Sequence, residues 1–407
     1  MTHDPGDIAS IKQQAMHVID ANAEVIRRLA LEIHARPEPN YQEFFASDRA
    51  ASILDEFGFE VEREAAGLPT AFVATTGGQN PGPTIGLVAE YDCVPDVGHG
   101  CGHNLICAAT IAAGLGLSYV SGALPGSIKV YGAPAEEGGK GKKTMAEHGL
   151  FADLNAALQF HPATRAGVTG INLLAQNVFC TFTGTPAHST AVPWEGRNAL
   201  DGVINSFNAI NAMRQQVHPD IRITGIVTES PSTIASIPER AGAMFRVRGF
   251  KEPMVLDVVE RVKAAIQGAA LQTGTEVEMW DEAVEPSLRS STVLTELFER
   301  TSSEFGYSPA RIPRGSGSTD LAYVGQTAPT VMFRLPTWPE GTPGHSEAAV
   351  IASKSDSALD VTLDAAKVLV GMSIDLLFDQ ELLAMAQDEF AVGSPSSAGD
   401  DEVTGEF

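Results

Sequence analysis

The stretch Tyr91–Asn104, Y-D-C-V-P-D-V-G-H-G-C-G-H-N, places Cys101 and His103 two residues apart among glycines, directly after an apolar run. A thiolate and an imidazole at that spacing can reach one metal ion. Three more ligand-type signals lie further along: Glu136 and Glu137 in P-A-E-E-G-G, His161 in Q-F-H-P, and His345 in G-T-P-G-H-S. A lone histidine is more often a hydrogen-bonded structural residue, and a lone buried cysteine a small hydrophobe. Position sets these apart, because each lies just after a short apolar run with strand character, at 84–89, 128–131, 156–160 and 330–333. In an open α/β sheet the carboxyl ends of the strands meet at one crevice, where ligands bind. Four loops carrying Cys, Glu and His at that edge imply a metal site.

Working outward, residues 7–34 show helical periodicity, with Ile8, Ile11, Met16, Ile19, Val25, Leu29 and Ile33 on one face, and a second helix is expected at about 45–57. Strand and helix patterns then alternate, which predicts an α/β fold with a mostly parallel sheet and helices on both faces. The segment 104–120 opens on Asn104, an N-cap residue type, and its Ala, Leu and Ile content predicts a buried helix holding the Cys101 loop. From 174 to 286 the pattern becomes strand, long helix, strand, strand, helix, strand, the layout of an inserted α+β lid. The expected organisation is a catalytic domain at 1–173 and 287–390, a lid at 174–286, and a tail at 391–407. The last catalytic helix is expected at 357–382. The tail has four acidic and no basic residues and few large apolar ones, so disorder is expected there.

At 407 residues, 43% of them hydrophobic, the chain is long enough for two cores. Its formal charge, 27 − 51 = −24, argues against nucleic acid and anionic membranes, which demand clustered Lys and Arg. The four cysteines, at 93, 101, 107 and 180, show no disulfide spacing and fit a reducing compartment; Cys93, Cys107 and Cys180 are read as packing residues. No secretory signal and no bilayer-spanning run is evident, so a soluble cytoplasmic protein is expected.

The order Asp92, Cys101-Gly102-His103, Glu136-Glu137, His161, G-T-P-A-H at 184–188 and His345 resembles the di-metal aminoacylase and carboxypeptidase clan of metallopeptidases. Within it the chain resembles the amidohydrolase branch of hippurate hydrolases, indole-acetyl-amino-acid hydrolases and aminobenzoyl-glutamate hydrolase. The form E-Y-D-C-V-P followed by C-G-H-N-L-I, with P-W-E-G-R-N-A-L-D later, is that of dipeptidase-like members. The resemblance runs from about residue 33 to 345.

That resemblance implies Cys101, His103, Glu137, His161 and His345 as ligands of two divalent ions, with the Cys101 thiolate close to both. A thiolate and three imidazoles suit zinc, manganese or cobalt better than magnesium or calcium. Two such ions can deprotonate a water and polarise a carbonyl, which suits amide hydrolysis. Adjacent side chains on an extended strand end point to opposite sides. One glutamate can therefore bind metal while the other faces substrate; Glu137 is assigned to the metal and Glu136 to proton transfer. Asp92 is read as orienting a ligand imidazole, with direct ligation the lesser alternative; His99 could be a ligand, a donor to one, or packed in the loop, and a supporting role is favoured. Lys140, Lys142 and Lys143 do not complete a phosphate loop and are expected to be exposed beside a tight turn.

The resemblance further implies that His188 reaches the partner subunit's site and stabilises the developing oxyanion, making a homodimer or higher homo-oligomer through the lid the working unit. It implies that Arg248 grips a substrate carboxylate or an equivalent polar group; Arg246 is the adjacent candidate but is expected on the opposite face of the strand. Where relatives carry a glycine pair and an asparagine before Ile-Pro, this chain reads E-S-P-S-T-I-A-S-I-P, with Ser236 in the asparagine's place. In G-S-G-S-T-D, residues Ser318, Thr319 and Asp320 are candidate pocket contacts. The expected activity is metal-dependent hydrolysis of a small N-acyl amino acid, aminobenzoyl-amino acid or dipeptide. The alternatives are hydrolysis of another C–N bond, such as arylamine deamination, and a catalytically silent metal-binding protein.

Overall fold

The computed structural model describes residues 5–77, 81–315 and 317–392. They form two compact units: one runs to Ile171, resumes over Leu288–Gly315 and again from Thr319, and the other comprises Asn172–Ser287 with residues 317–318. The unit boundaries therefore fall at 171/172 and 287/288, against the expected 173/174 and 286/287.

In chain order the strands are β1 (Glu60–Arg63), β2 (Phe72–Gly77), β3 (Thr84–Ala89), β4 (Ser127–Gly132), β5 (Ala156–Ala163), β6 (Gly167–Ile171), β7 (Leu174–Thr183), β8 (Arg222–Glu229), β9 (Arg240–Gly249), β10 (Glu276–Asp281), β11 (Ala310–Arg314) and β12 (Thr330–Pro336). The first unit is built on an eight-stranded sheet ordered β1-β2-β4-β3-β5-β12-β6-β11. Its centre, β4-β3-β5-β12, is parallel throughout, so those four strands end at one edge. The antiparallel pairings are β1 with β2, β2 with β4, and β6 with β12.

Both faces of this sheet are covered, as its apolar strands require. On one, the helix His103–Tyr119 is buried at every position from 103 to 117 and packs against the helices Pro5–Ala21, Ala23–Ala35 and Asp356–Phe378. Small residues make this possible: a Cβ at Gly116 would sit 2.6 Å from the carbonyl oxygen of Ala15. On the other face, Tyr131, Phe151, Leu154, Leu288, Leu321 and Met332 form a separate apolar cluster.

Local details differ from the expectation where polar residues interrupt the periodicity. The helix expected over 7–34 is two, because Asn22 stands between Ala21 and Ala23 and turns its side-chain amide back to the Val18 carbonyl at 2.8 Å. The last helix breaks at Asp379, whose carboxylate caps the Leu382 N–H of a further helix, Gln380–Val392. The tail expected from 391 lies outside the described residues after Val392. Asn104 is not an N-cap: Gly102 takes that place, and the Asn104 amide donates instead to the carbonyls of Ala30 and Ser353 at 3.2 and 3.0 Å.

The second unit is an antiparallel sheet ordered β10-β7-β9-β8 with two helices, Ala199–Met213 and Glu252–Thr273. Val178, Phe182, Phe245, Val258, Val262 and Ile266 fill the space between sheet and helices. This is the strand, helix, strand, strand, helix, strand order anticipated for the inserted domain. No described helix is long and apolar enough to cross a membrane.

Candidate active site and metal centre

The candidate ligands gather at the carboxyl edge of β3, β4, β5 and β12. After β3 the chain passes Glu90 and Asp92, makes a loop pinned by the Val94–Gly98 bridge, and enters the long helix at His103. Gly102 has φ +75°, and a Cβ there would come within 2.8 Å of the Pro162 side chain, so glycine is the residue that lets Cys101 and His103 flank this corner. His161 lies inside β5 rather than after it. His345 sits in the loop after β12 with φ +55°, its N–H donating to the Gly100 carbonyl at 2.9 Å. A non-glycine residue in that conformation is strained, and such strain gathers at functional sites.

Hydrogen bonds define which ring nitrogen of each histidine is free. His103 Nδ1 lies 2.9 Å from Asp92 Oδ1, and His161 Nδ1 lies 2.7 Å from the Pro162 carbonyl. Carboxylate and carbonyl oxygens only accept, so Nδ1 donates in both rings and Nε2 is the nitrogen left to face a metal ion. Asp92 also accepts the Glu137 N–H at 2.9 Å through its second oxygen, tying the two loops together.

The free Nε2 of His103 is buried with no hydrogen-bond partner, as is Oε1 of Glu137. They lie 3.8 Å apart. Around them, Cys101 Sγ is 3.6 Å from His161 Nε2, and His345 Nε2 is 3.4 Å from Glu137 Oε1. Donor atoms of Cys101, His103 and His161 fall within 4.8 Å of one another, and so do those of Cys101, Glu137 and His345. Two overlapping donor sets therefore share Cys101. Buried polar atoms left without a partner are costly unless something binds them, and this mixture of thiol, imidazole and carboxylate fits transition-metal ions.

Burial and neighbouring charges set the proton affinities of these groups. Burial pushes the Cys101 thiol up to about 12. For His103 burial acts downward, but Cys101 and Asp92 outweigh it and hold the imidazole well above its usual range. Burial, with Arg334 adding to it, pulls His161 down to about 4. Burial and the neighbouring Glu90 and Asp320 carboxylates raise Glu136 well above the usual carboxylate range.

Glu136 and Glu137 occupy a turn beyond β4, not the end of the strand itself. Both carboxylates face His103 Nε2, at 4.0 Å for Glu136 and 3.8 Å for Glu137, so they diverge less than a strand end would make them. His99 is buried, with Nε2 3.1 Å from the Ile33 carbonyl, and burial depresses it to about 3. Cys93, Cys107 and Cys180 are buried free thiols.

Three residues escaped the sequence reading. Glu43 is buried and accepts the N–H groups of Tyr41 and Ala135, each at 2.9 Å, and the Thr70 hydroxyl at 2.8 Å. It thereby holds Ala135, itself at φ +60°, next to Glu136. Glu90, directly after β3, pairs with Lys142 at 2.7 Å. Lys142 is not exposed as expected but fully buried, because the short helix Gly141–Glu147 turns Lys142 and Met145 inward together. Asp320 is Lys142's other partner, while Ser318 and Thr319 are half-buried.

In the second unit His188 is exposed, its Nδ1 accepting from the N–H groups of Thr190 and Ala191 at 3.3 Å, and its backbone bridges to Ser236. Arg246 does not point away from Arg248. Residues two apart on a strand share a face, and both are half-buried while Phe245, Val247 and Gly249 turn inward. Arg246 is taken by Glu285 and Asn177; among the described residues no carboxylate pairs with Arg248.

An α/β sheet edge that collects a thiol, three imidazoles and paired glutamates, with buried donors left open, defines a metallohydrolase. The profile of peptidase family M20/M25/M40 matches residues 86–370, and the chain belongs to that family. It is 33% identical to the Xaa-Arg dipeptidase of Mus musculus over 96% of this chain and 94% of that one. It is 27% identical to one of the p-aminobenzoyl-glutamate hydrolase chains of Escherichia coli (strain K12), over 91% and 93% respectively. Among solved structures it is similar to a Bacillus subtilis dinuclear metal-binding peptidase of the M20 family, with a TM-score of 0.65 at 19% identity, covering 88% of this chain and 99% of that one.

Proposed function

We propose that this chain is a di-metal amidohydrolase that cleaves the amide of a dipeptide, an aminobenzoyl-amino acid or another small N-acyl amino acid. The observation that carries the reading is the pair of buried, unpartnered donors, His103 Nε2 and Glu137 Oε1, enclosed by Cys101, His161 and His345. Two zinc, manganese or cobalt ions held by those five residues would supply an activated water and a Lewis acid for the amide carbonyl.

The remaining roles belong to the protein. Asp92 locks the His103 tautomer and fixes the Glu137 backbone. Glu136 takes the proton from the attacking water and returns it to the leaving nitrogen. Arg248, which pairs with no carboxylate among the described residues, binds the carboxylate end of the substrate. His188 donates to the developing oxyanion in the site of the other protomer of a homodimer formed through the second unit. The relatives' names, a dipeptidase and an aminobenzoyl-glutamate hydrolase, favour substrates that carry such a carboxylate. A cytoplasmic location belongs to the same reading.

The test is a panel of dipeptides, N-acyl and aminobenzoyl amino acids and aryl amines, followed for amine or ammonia release. Amine release from amides that is lost on chelation and regained with zinc, manganese or cobalt is expected. Ammonia release from aryl amines alone, or no metal-dependent turnover on any substrate, would overturn the reading.

A further inference from the structure

Glu90, Glu136 and Asp320 each bring a carboxylate oxygen to within 4.8 Å of the others. Oxygen donors gathered so closely make a pocket of the kind a hard divalent cation occupies. Here the pocket already holds a cation. Lys142 is fully buried, its Nζ lies 2.7 Å from Glu90 Oε1 and bonds to Asp320 Oδ1, and its backbone N–H donates to Asp320 Oδ2 at 3.1 Å.

The position of this pocket gives the lysine its significance. The second oxygen of Glu90 is 3.7 Å from His103 Nε2, and Glu136 Oε2 is 4.0 Å from the same nitrogen. Both carboxylates thus stand between the lysine and the candidate metal donors. With the lysine gone, they become two more oxygen ligands beside a site that already has five donors. A glutamate engaged as a ligand cannot also carry protons. An ammonium prevents this because it has one charge, three N–H donors and a covalent stem, so it neither exchanges with solvent ions nor yields to a chelator.

We propose that Lys142 is a positioning residue whose ammonium, as a tethered cation, closes the three-carboxylate pocket to metal ions and leaves the Glu136 carboxylate free for proton transfer. The second half rests on the reading of Glu136 given above; the first does not.

Bound metal is the decisive readout. Metal-free wild type and Lys142→Met are titrated with Mn²⁺ and the retained ions counted per chain by elemental analysis. One more ion per chain is expected in the variant. Excess Mn²⁺ should also inhibit the variant and not the wild type, lowering kcat at least about tenfold with KM within about twofold. Equal ion counts in the two folded proteins, without inhibition by excess metal, overturn the proposal. If Lys142→Met does not fold, Lys142→Met/Asp320→Asn removes one charge of each sign and keeps Glu90 and Glu136. The extra ion is expected there too, bound more weakly, and its absence is equally fatal. Counting ions requires no turnover, so an inactive wild type defeats the amidohydrolase reading while the lysine is still tested.

Discussion

Replacing Asp92 by asparagine should weaken metal binding by far more than the loss of one surface charge could. Asp92 is 1% exposed and uses both oxygens, one for His103 Nδ1–H and the other for the Glu137 N–H, each at 2.9 Å. Asparagine is the same shape but has one acceptor and one donor. If its oxygen faces His103, its NH₂ faces the Glu137 N–H, donor against donor. If it turns round, the NH₂ faces Nδ1, and the imidazole must move its proton to Nε2, the atom meant to ligate. Either way one charge-assisted hydrogen bond, worth roughly 1.5 to 3 kcal/mol, is lost and a neutral one of about 0.5 to 1.5 kcal/mol takes the place of the other. Together that is roughly 2.5 to 4.5 kcal/mol; part of it is lost from the protein without metal as well, so metal affinity is expected to fall about 10- to 100-fold, the range found when a residue orienting a metal-bound histidine is removed. Competition for zinc against a chromophoric chelator, with metal-free wild type and Asp92→Asn at the same pH, measures it directly. An unchanged dissociation constant in a folded Asp92→Asn protein would refute the argument that Asp92 sets the ligating tautomer.

Glu136→Gln should keep its metals and lose about 10² to 10⁴ in kcat, whereas Glu137→Gln should lose metal by elemental analysis; the reverse pattern inverts the two roles. Burial raises Glu43 to about 7, so its contribution to stability is fully present below the ordinary carboxylate range and is lost as pH rises through 7. Thermal unfolding of wild type should therefore weaken between about pH 4.5 and 7 by up to roughly 3 kcal/mol from this group, and Glu43→Gln should flatten that slope; parallel curves would deny Glu43 the role. Inactive His188→Ala and inactive Glu136→Gln dimers, mixed and allowed to exchange protomers, should regain activity, and no recovery despite verified exchange rules out action across the dimer. Arg248→Ala should cost about tenfold or more in kcat/KM on carboxylate-bearing substrates, since a hydrogen bond to a charged group is the stronger kind, and Ser236→Ala much less. Equal losses on substrates with and without a carboxylate would remove Arg248 from substrate recognition.

The candidate ligand loops were legible because each joins a local signal to a topological one. Cys101, His103, Glu137 and His345 are polar residues beyond apolar runs, and parallel strands β3, β4, β5 and β12 end at a common edge. The supporting residues carry no such mark. Glu43 reaches Ala135 across 92 positions, and Lys142 reaches Asp320 across 178. Pairing over such separations is a property of the folded sheet, so a lysine among K-G-K-K has the composition of a solvated turn until its partners are seen. Asn104 is similar. By type it caps a helix, but with Ala30 and Ser353 within reach its amide serves those two carbonyls instead. Arg246 is different, because period-two alternation already puts it on the same face as Arg248.

What remained hidden has a common physical form. Glu43, Glu90 and Lys142 are buried ionisable groups, as is Asp320, which the sequence marks only as a pocket contact, and each is kept in the interior by hydrogen bonds or an opposite charge. Such groups are expensive to bury and are tolerated where removing one partner would leave a charge uncompensated. Around the metal donors that cost has a use. A centre that must hold divalent ions needs surplus negative charge, and the same surplus would capture Glu136 as one more ligand. Asp92 uses its charge to fix a tautomer, Glu43 fixes the backbone before Glu136, and Lys142 supplies a buried positive group that keeps the remaining carboxylates from the ions. The chemistry of the edge thus depends as much on the groups that hold carboxylates away from metal as on those that bind it.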